Sequence, residues 1–304
     1  MKRFSSYLTG CLLTLIITPP LHAAERIAVA GGSITEIIYR LGEQDKIVGV
    51  DSTSTYQAAD KTHPLLGYVR NISVEGLLSL QPDLLIGESD TGPSKALEQV
   101  RAVGLNTVII EEDDSIDAIK SKIRTVGRLL QVENKAEHLI NEIQLDIDAL
   151  AYANDKLNKQ SKHKPKVLFL LTLQNGAPIA AGQHTSAHTT ITAAGGNNAL
   201  ENEKGWVKLS PEAALELNPD VIVVMNRPDA TLEAVAQLAH FKYTEAVKNN
   251  AVYSIDGGYL LGFGPRTPQA IIELGTMIHG VFPLPKGYQF RYDNQQQINT
   301  GHSS

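Results

Sequence analysis

An α/β fold of two Rossmann-like lobes with parallel-type sheets, joined by one long helix, is predicted by three features of the sequence. A segment repeats: residues 73–86 return as residues 210–223 with six identities in fourteen positions, where average residue usage gives roughly one. Short apolar runs that read as strands alternate with helical segments, which argues for parallel sheets covered on both faces. Beyond Asp114, more than forty residues carry only helical periodicity, which suits a bridge between two lobes rather than a part of either.

The 304 residues, 42% hydrophobic and 20% charged, are enough for two cores. The first of them differ. Lys2 and Arg3 precede an apolar run at 8–17, then Pro19, Pro20, Ala23 and Ala24, the pattern of a secretory signal peptide over residues 1–24. That run is too short to span a bilayer permanently. Cys11, the only cysteine, sits in Leu-Thr-Gly-Cys, similar to a lipoprotein box. A box closes the apolar region, whereas Leu12 to Ile17 follow this cysteine, so the expectation is a secreted chain without a lipid anchor. The mature chain then has 25 basic and 33 acidic residues, a net charge of −8, and no thiol. Disulfides, thiolate metal sites and cysteine nucleophiles are excluded, and nothing suggests a nucleic-acid surface.

The first lobe, residues 25–114, opens with a strand at 26–30 that ends in Gly31-Gly32. Ser33 and Glu36 form a capping-box pattern ahead of Ile34, Ile37, Ile38 and Leu41. Gly-Gly-Ser fits either a phosphate site at a helix N-terminus or a tight turn at the first crossover, and no dinucleotide or Walker pattern accompanies it. Strands at 47–51, 84–86 and 107–110 follow, with helices at 74–80 and from Pro93. Residues 115–164 form the bridge and linker: Ile116, Ile119, Ile123, Val126 and Leu130, then Ala136, Ile140, Ile143, Ile147 and Leu150 after a short break. In the second lobe, residues 165–284, a strand at 166–172 and a turn at 174–176 lead to a small-residue loop at 180–188 and a helix ending at Gly195. The second repeat supplies a helix at 213–217 and a strand at 221–225. Two short helices within 231–247, a strand at 252–255, a loop at 257–265 and a helix at 268–281 complete the lobe. Residues 285–304, rich in Gln, Asn and Gly without apolar period, read as a disordered tail.

Little here suggests catalysis. No Gly-x-Ser-x-Gly elbow occurs, and the four acids at 111–114 read as a solvated helix start. His184 and His188 stand four apart, but Gly182 and a cap at Thr185-Ser186 put the first in a loop. Tyr68 differs in kind. It lies in Gly67-Tyr68-Val69-Arg70, in a loop where open parallel sheets bind ligands. It reads either as a half-buried packing tyrosine or as a ligand for ferric iron. A phenol with a pKa near 10 needs help to ionise; a nearby guanidinium and the metal both supply it, and tyrosinate is an axial ligand of haem iron.

Gly67-Tyr-Val-Arg70, residues 32–42 (Gly-Ser-Ile-Thr-Glu-Ile-Ile-Tyr-Arg-Leu-Gly), Val48-Gly-Val-Asp51, both repeat units, and residues 261–269 (Leu-Gly-Phe-Gly-Pro-Arg-Thr-Pro-Gln) together carry a resemblance over nearly the whole mature chain. The chain resembles the periplasmic haem-binding proteins of ABC-type haem importers, class III periplasmic binding proteins built on a single helical backbone. The repeat units alone would equally fit cobalamin or ferric-siderophore binders, and an extracytoplasmic enzyme acting on a tetrapyrrole is the remaining alternative. The resemblance implies a non-enzymatic, monomeric periplasmic carrier. Its transported ligand is haem, and its partner is an inner-membrane permease with a cytoplasmic ATPase. It makes Tyr68 the axial iron ligand and Arg70 its electrostatic partner or a propionate contact, with Arg227 meeting a propionate from the second lobe. Relatives that add a histidine carry it near Leu173-Gln174, where this chain has none, so His188 and then His184 are the substitutes. Glu75 and Glu212, at equivalent repeat positions, correspond to acids that dock on permease arginines.

Overall fold

The structure, a computed structural model, describes residues 24–56, 62–111, 113–160, 163–174 and 176–292. The signal-peptide and Cys11 expectations fall outside these residues. In the first lobe, β1 (Ile27–Ala30) leads into α1 (Gly32–Arg40), and β2 (Ile47–Val50) into a hairpin of β3 (Gly67–Tyr68) and β4 (Asn71–Ile72). Then come α2 (Val74–Ser79), β5 (Leu84–Glu88), α3 (Ser94–Ala102) and β6 (Asn106–Ile110). The sheet order is β2-β1-β5-β6, all parallel, with Ile27 beside both Ile47 and Leu84. Both faces of β1 are covered, which explains why its sequence is continuously apolar rather than alternating. Ile27 and Val29 enter a core with Ile34, Ile37 and Ile123, while Ala28 and Ala30 enter another with Leu77, Leu85 and Val100.

Two helices follow, α4 (Ile116–Leu129) and α5 (Glu133–Lys159). Only the second is a bridge. Helix α4 buries Ile119, Ile123 and Val126 in the first lobe and turns back through Gln131 at φ 58°, with Gly127 packed where a Cβ would stand 2.5 Å from Ala136. The 27 residues of α5 span about 40 Å. Its Ala136, Leu139, Ile140 and Ile143 belong to the first core, and its Ala149, Leu150 and Ala153 to the second.

The second lobe comprises β7 (Lys166–Gln174), β8 (Ala177–Ala181), α6 (Ser186–Ala193), β9 (Asn197–Asn198), β10 (Trp206–Lys208), α7 (Pro211–Leu217), β11 (Val221–Met225), α8 (Leu232–Gln237), α9 (Glu245–Lys248), β12 (Val252–Ile255), α10 (Gly257–Leu261) and α11 (Thr267–His279). Its sheet order is β10-β8-β7-β11-β12, with β9 beside the start of β7. β7, β11 and β12 are parallel, but β8 runs antiparallel to both β7 and β10.

Four expectations are corrected. Residues 180 and 181, read as loop, are strand, because β8 pairs on both sides. The expected loop at 257–265 contains helix α10, capped by Asp256 accepting from the Tyr259 N–H at 2.7 Å. The Ser33/Glu36 capping box does not form: Gly31 is the N-cap, and Ser33 and Glu36 lie buried inside α1, where each has a distant partner. Residues 285–292, read as part of a disordered tail, are held by specific contacts, and the rest of that expectation falls outside the described residues. The Tyr288 hydroxyl donates to Asp146 at 2.7 Å, Arg291 pairs with the same carboxylate, and the Gln269 amide binds the backbone of Arg291 and Tyr292.

Candidate ligand-binding cleft

Helix α1 leaves β1, and α10 leaves β12, at the C-terminal edges of their sheets, and these two edges meet. Gly258 at the start of α10 lies beside Thr55 of the first lobe, and Phe263 packs into the first lobe's core. The Arg266 N–H donates to Glu36 at 3.0 Å, and its guanidinium pairs with the same carboxylate at 3.2 Å. That guanidinium also lies over the rings of Tyr56, at 4.7 Å, and Tyr259, at 5.2 Å. Burial pushes the Glu36 carboxyl above its ordinary range, and Arg266 opposes that rise. The C-terminal edges of the two sheets therefore face each other at this junction, the position where open α/β sheets bind ligands.

On the first-lobe side the wall is tightly built. Asp51, fully buried, accepts from the Gly31 N–H at 2.8 Å, from the N–H and hydroxyl of Thr53 at 2.8 and 2.6 Å, and from Ser54 at 3.0 Å. Gly32 allows this loop to approach: a Cβ there would stand 2.6 Å from the Thr53 carbonyl. Behind it, buried Lys122 donates to Ser33 at 2.6 Å, and Ser33 donates to Glu88 at 2.6 Å. The Gly-Gly-Ser segment is thus a tight turn occupied by protein groups, which removes the phosphate reading.

Tyr68 is 49% exposed. Its hairpin is stitched to both neighbouring loops: Ser52 N–H donates to the Gly67 carbonyl at 2.8 Å, Gly92 N–H to Val69 at 2.9 Å, and Ile72 N–H to Gly92 at 2.8 Å. Arg70, on the same hairpin, donates from Nε to Asp90 at 3.0 Å. On the facing lobe Arg227 follows β11, and its Nε donates to Asp229 at 3.3 Å. Asp229 also accepts from Thr172, which holds its carboxyl below the ordinary range.

Glu75 and Glu212 occupy the first turns of α2 and α7, exposed, behind N-caps Ser73 and Ser210. Both helices start at the cleft edge of their lobe and descend to the next strand. The Glu212 carboxyl is held below its ordinary range by its own backbone N–H and by Ser210.

The histidines are placed differently. His188 is the third residue of α6, with Nδ1 3.2 Å from Asn198 Nδ2. Asn198 pairs with Val167, the second residue of β7, so this imidazole is held beside the N-terminal half of that strand, whereas Arg227 lies beyond the C-terminal end of the sheet. His184, at φ 59°, follows a stretch that pairs with residues 203–205. No hydrogen bond or ion pair joins either imidazole to Tyr68, Arg70 or Arg227 among the described residues. Among the described residues, no group of three or more His, Cys, Asp or Glu side chains could hold a metal ion.

Asp90, Asp229 and the Glu36–Arg266 pair went unseen in the sequence. Asp90 is twenty residues from its partner, so spacing gave no signal; the two-residue spacing of Arg227-Pro-Asp229 is a signal that could have found the second pair.

The model of the periplasmic binding protein family matches residues 27–259. The chain belongs to this family. Its members are substrate-binding proteins of transport rather than enzymes, and this chain is a substrate-binding protein of the ABC-transporter type. Among solved structures it is similar to the periplasmic heme-binding protein RhuT from Roseiflexus sp. RS-1, with 35% identity, TM-score 0.78, and coverage of 84% of this chain and 98% of that one. The periplasmic heme-binding protein BhuT in complex with two hemes gives 31% identity, TM-score 0.76, and coverage of 83% and 97%. Curated relatives include the ABC transporter substrate-binding lipoprotein YvrC of Bacillus subtilis, 28% identical over 81% of this chain and 77% of its own. A cobalamin-binding protein of Halobacterium salinarum is 26% identical over 84% and 69%. No helix among the described residues is long and apolar enough to cross a membrane.

Proposed function

We propose that this periplasmic binding protein captures haem between its lobes and delivers it to an inner-membrane ABC permease. The observation that carries the reading is Tyr68: a half-exposed tyrosine on a stitched hairpin at the cleft edge, with Arg70 two residues away. A phenol there can become an anionic axial ligand of ferric haem when the metal and a guanidinium favour the phenolate. Arg70 and Arg227, from opposite lobes, suit the two propionates. Exposed Leu65, level with the end of β2, offers apolar surface beside Tyr68. The heme-binding structures at 35% and 31% identity support the ligand. Glu75 and Glu212 are the docking acids, one per lobe, and the carrier works as a monomer secreted by its signal peptide.

Hemin titrated into the purified protein should give a saturable high-spin ferric spectrum with tyrosinate character, and Tyr68→Ala should abolish it. Unchanged binding by that variant would sink the ligand assignment. A second reading, cobalamin, is favoured by the curated relatives named for that ligand. Titrating cobalamin into the same sample separates the two, and porphyrin breakdown would instead indicate an enzyme.

A further inference from the structure

Both arginines at the cleft edges are held in the same way. Arg70 gives its Nε–H to Asp90 and Arg227 gives its Nε–H to Asp229. In neither case does a terminal Nη group make a hydrogen bond among the described residues. A guanidinium can meet a carboxylate side-on, through Nε and one Nη, or end-on, through its two Nη groups. With Nε committed to an aspartate, only the end-on fork is left for a ligand.

The aspartates are themselves fixed by backbone or side-chain bonds from other elements. Asp90 lies in the turn after β5, which is tied to the Arg70 hairpin by the bonds between Gly92 and Val69 and between Ile72 and Gly92. Asp229 is anchored by the Thr172 hydroxyl of β7, and its turn is closed by the Ala230 N–H donating to the Arg227 carbonyl at 3.1 Å. These side chains are all partly exposed, so the ion pairs add little to stability. Their effect is geometric: an arginine on a flexible stem loses side-chain freedom before the ligand arrives, which lowers the cost of ordering it on binding.

We propose that Asp90 and Asp229 are positioning residues that set Arg70 and Arg227 as two end-on carboxylate forks, one per lobe, so that the cleft selects a ligand carrying two carboxylates over one whose edge is esterified or amidated. This rests on the haem reading above. Each Arg–Asp pair carries no net charge of its own, so simple anions gain little from it.

The test compares hemin with hemin dimethyl ester, titrated by absorbance into the purified protein. The wild type should prefer hemin by roughly tenfold or more, as charge-assisted bidentate contacts are lost in the ester. Asp90→Ala and Asp229→Ala should each cut that preference about three- to tenfold by weakening hemin binding. The Asn variants should recover part of it, because an amide oxygen still accepts from Nε. The Tyr68 spectrum at saturation should be unchanged throughout. If the alanine variants keep the full preference, or bind hemin more tightly, while Arg70→Ala and Arg227→Ala lose it, the positioning role is wrong and the haem reading stands. If the arginine variants also keep it, the arginine assignments themselves fail.

Discussion

At Gly67 the backbone has φ 101°, and an added Cβ would stand 2.7 Å from the Asn71 carbonyl oxygen across the hairpin. An L side chain is strained there and the close oxygen is backbone, so it cannot swing away. Gly67→Ala should therefore lower stability by about 2 kcal/mol and weaken hemin binding by moving Tyr68; thermal unfolding and titration of one sample check both. Glu36 makes a pH prediction. Its folded pKa is raised above the ordinary 4.5, mainly by burial. The stability it contributes is therefore fully present below that value and lost as pH rises through the raised one. Glu36→Gln has no such titration, so the melting temperature of the wild type should fall relative to the variant as pH rises from about 4. A parallel pH dependence of the two would refute this. The segment Gly67-Tyr68-Val69-Arg70 could be singled out because its residues lie together in sequence. The Glu36–Arg266 contact was not: 230 residues separate the partners, and Glu36 reads locally as a cap residue.

The elements with their own periodicity were legible: β11 and β12 match their sequence ranges, and α7 and α11 lie within a few residues of theirs. The segments misread are those whose structure is set by partners far along the chain. Strand β8, Ala-Pro-Ile-Ala-Ala, has small residues and no alternation; its pairing with β7 and β10 makes it a strand. The tail has polar composition, yet Asp146 of α5, fully buried, requires its Tyr288 and Arg291. Burial and Asp146 push the Tyr288 phenol up, and burial pushes Tyr292 up to about 12, so both rings stay neutral; Arg40 of α1 lies 4.7 Å above the second. The segment thus ties α1, α5 and α11 together. Ending the chain after Leu284 leaves the Asp146 carboxylate buried and unpaired, which should cost about 3–5 kcal/mol. Asp146→Asn in the shortened chain should restore part of that loss, since a neutral amide is cheaper to bury. Chemical denaturation of the three proteins reads the effect, and equal stability of full and shortened chains would show that the segment is dispensable.

At the scale of the whole molecule, one helix carries both lobes and a buried ion pair closes their junction, so relative lobe movement should be small and the two exposed acids behave as fixed points on one body. That rigidity bears on docking. When two separated charges on a rigid body meet two sites on one partner, the first contact raises the effective concentration of the second, and exposed charges steer encounter more than they add affinity. The helix-dipole alternative explains an acid in the first turn of α2 or α7 equally well, but it predicts an effect on stability alone. Glu75→Ala and Glu212→Ala should each slow hemin delivery to reconstituted transporter about fivefold, the double variant should lose at least the product of the two, and hemin affinity should be unchanged in all three. The defect should shrink as ionic strength rises, because screening weakens the wild-type steering that the variants lack. Wild-type delivery by the double variant, with a lowered melting temperature, would return both acids to their helices.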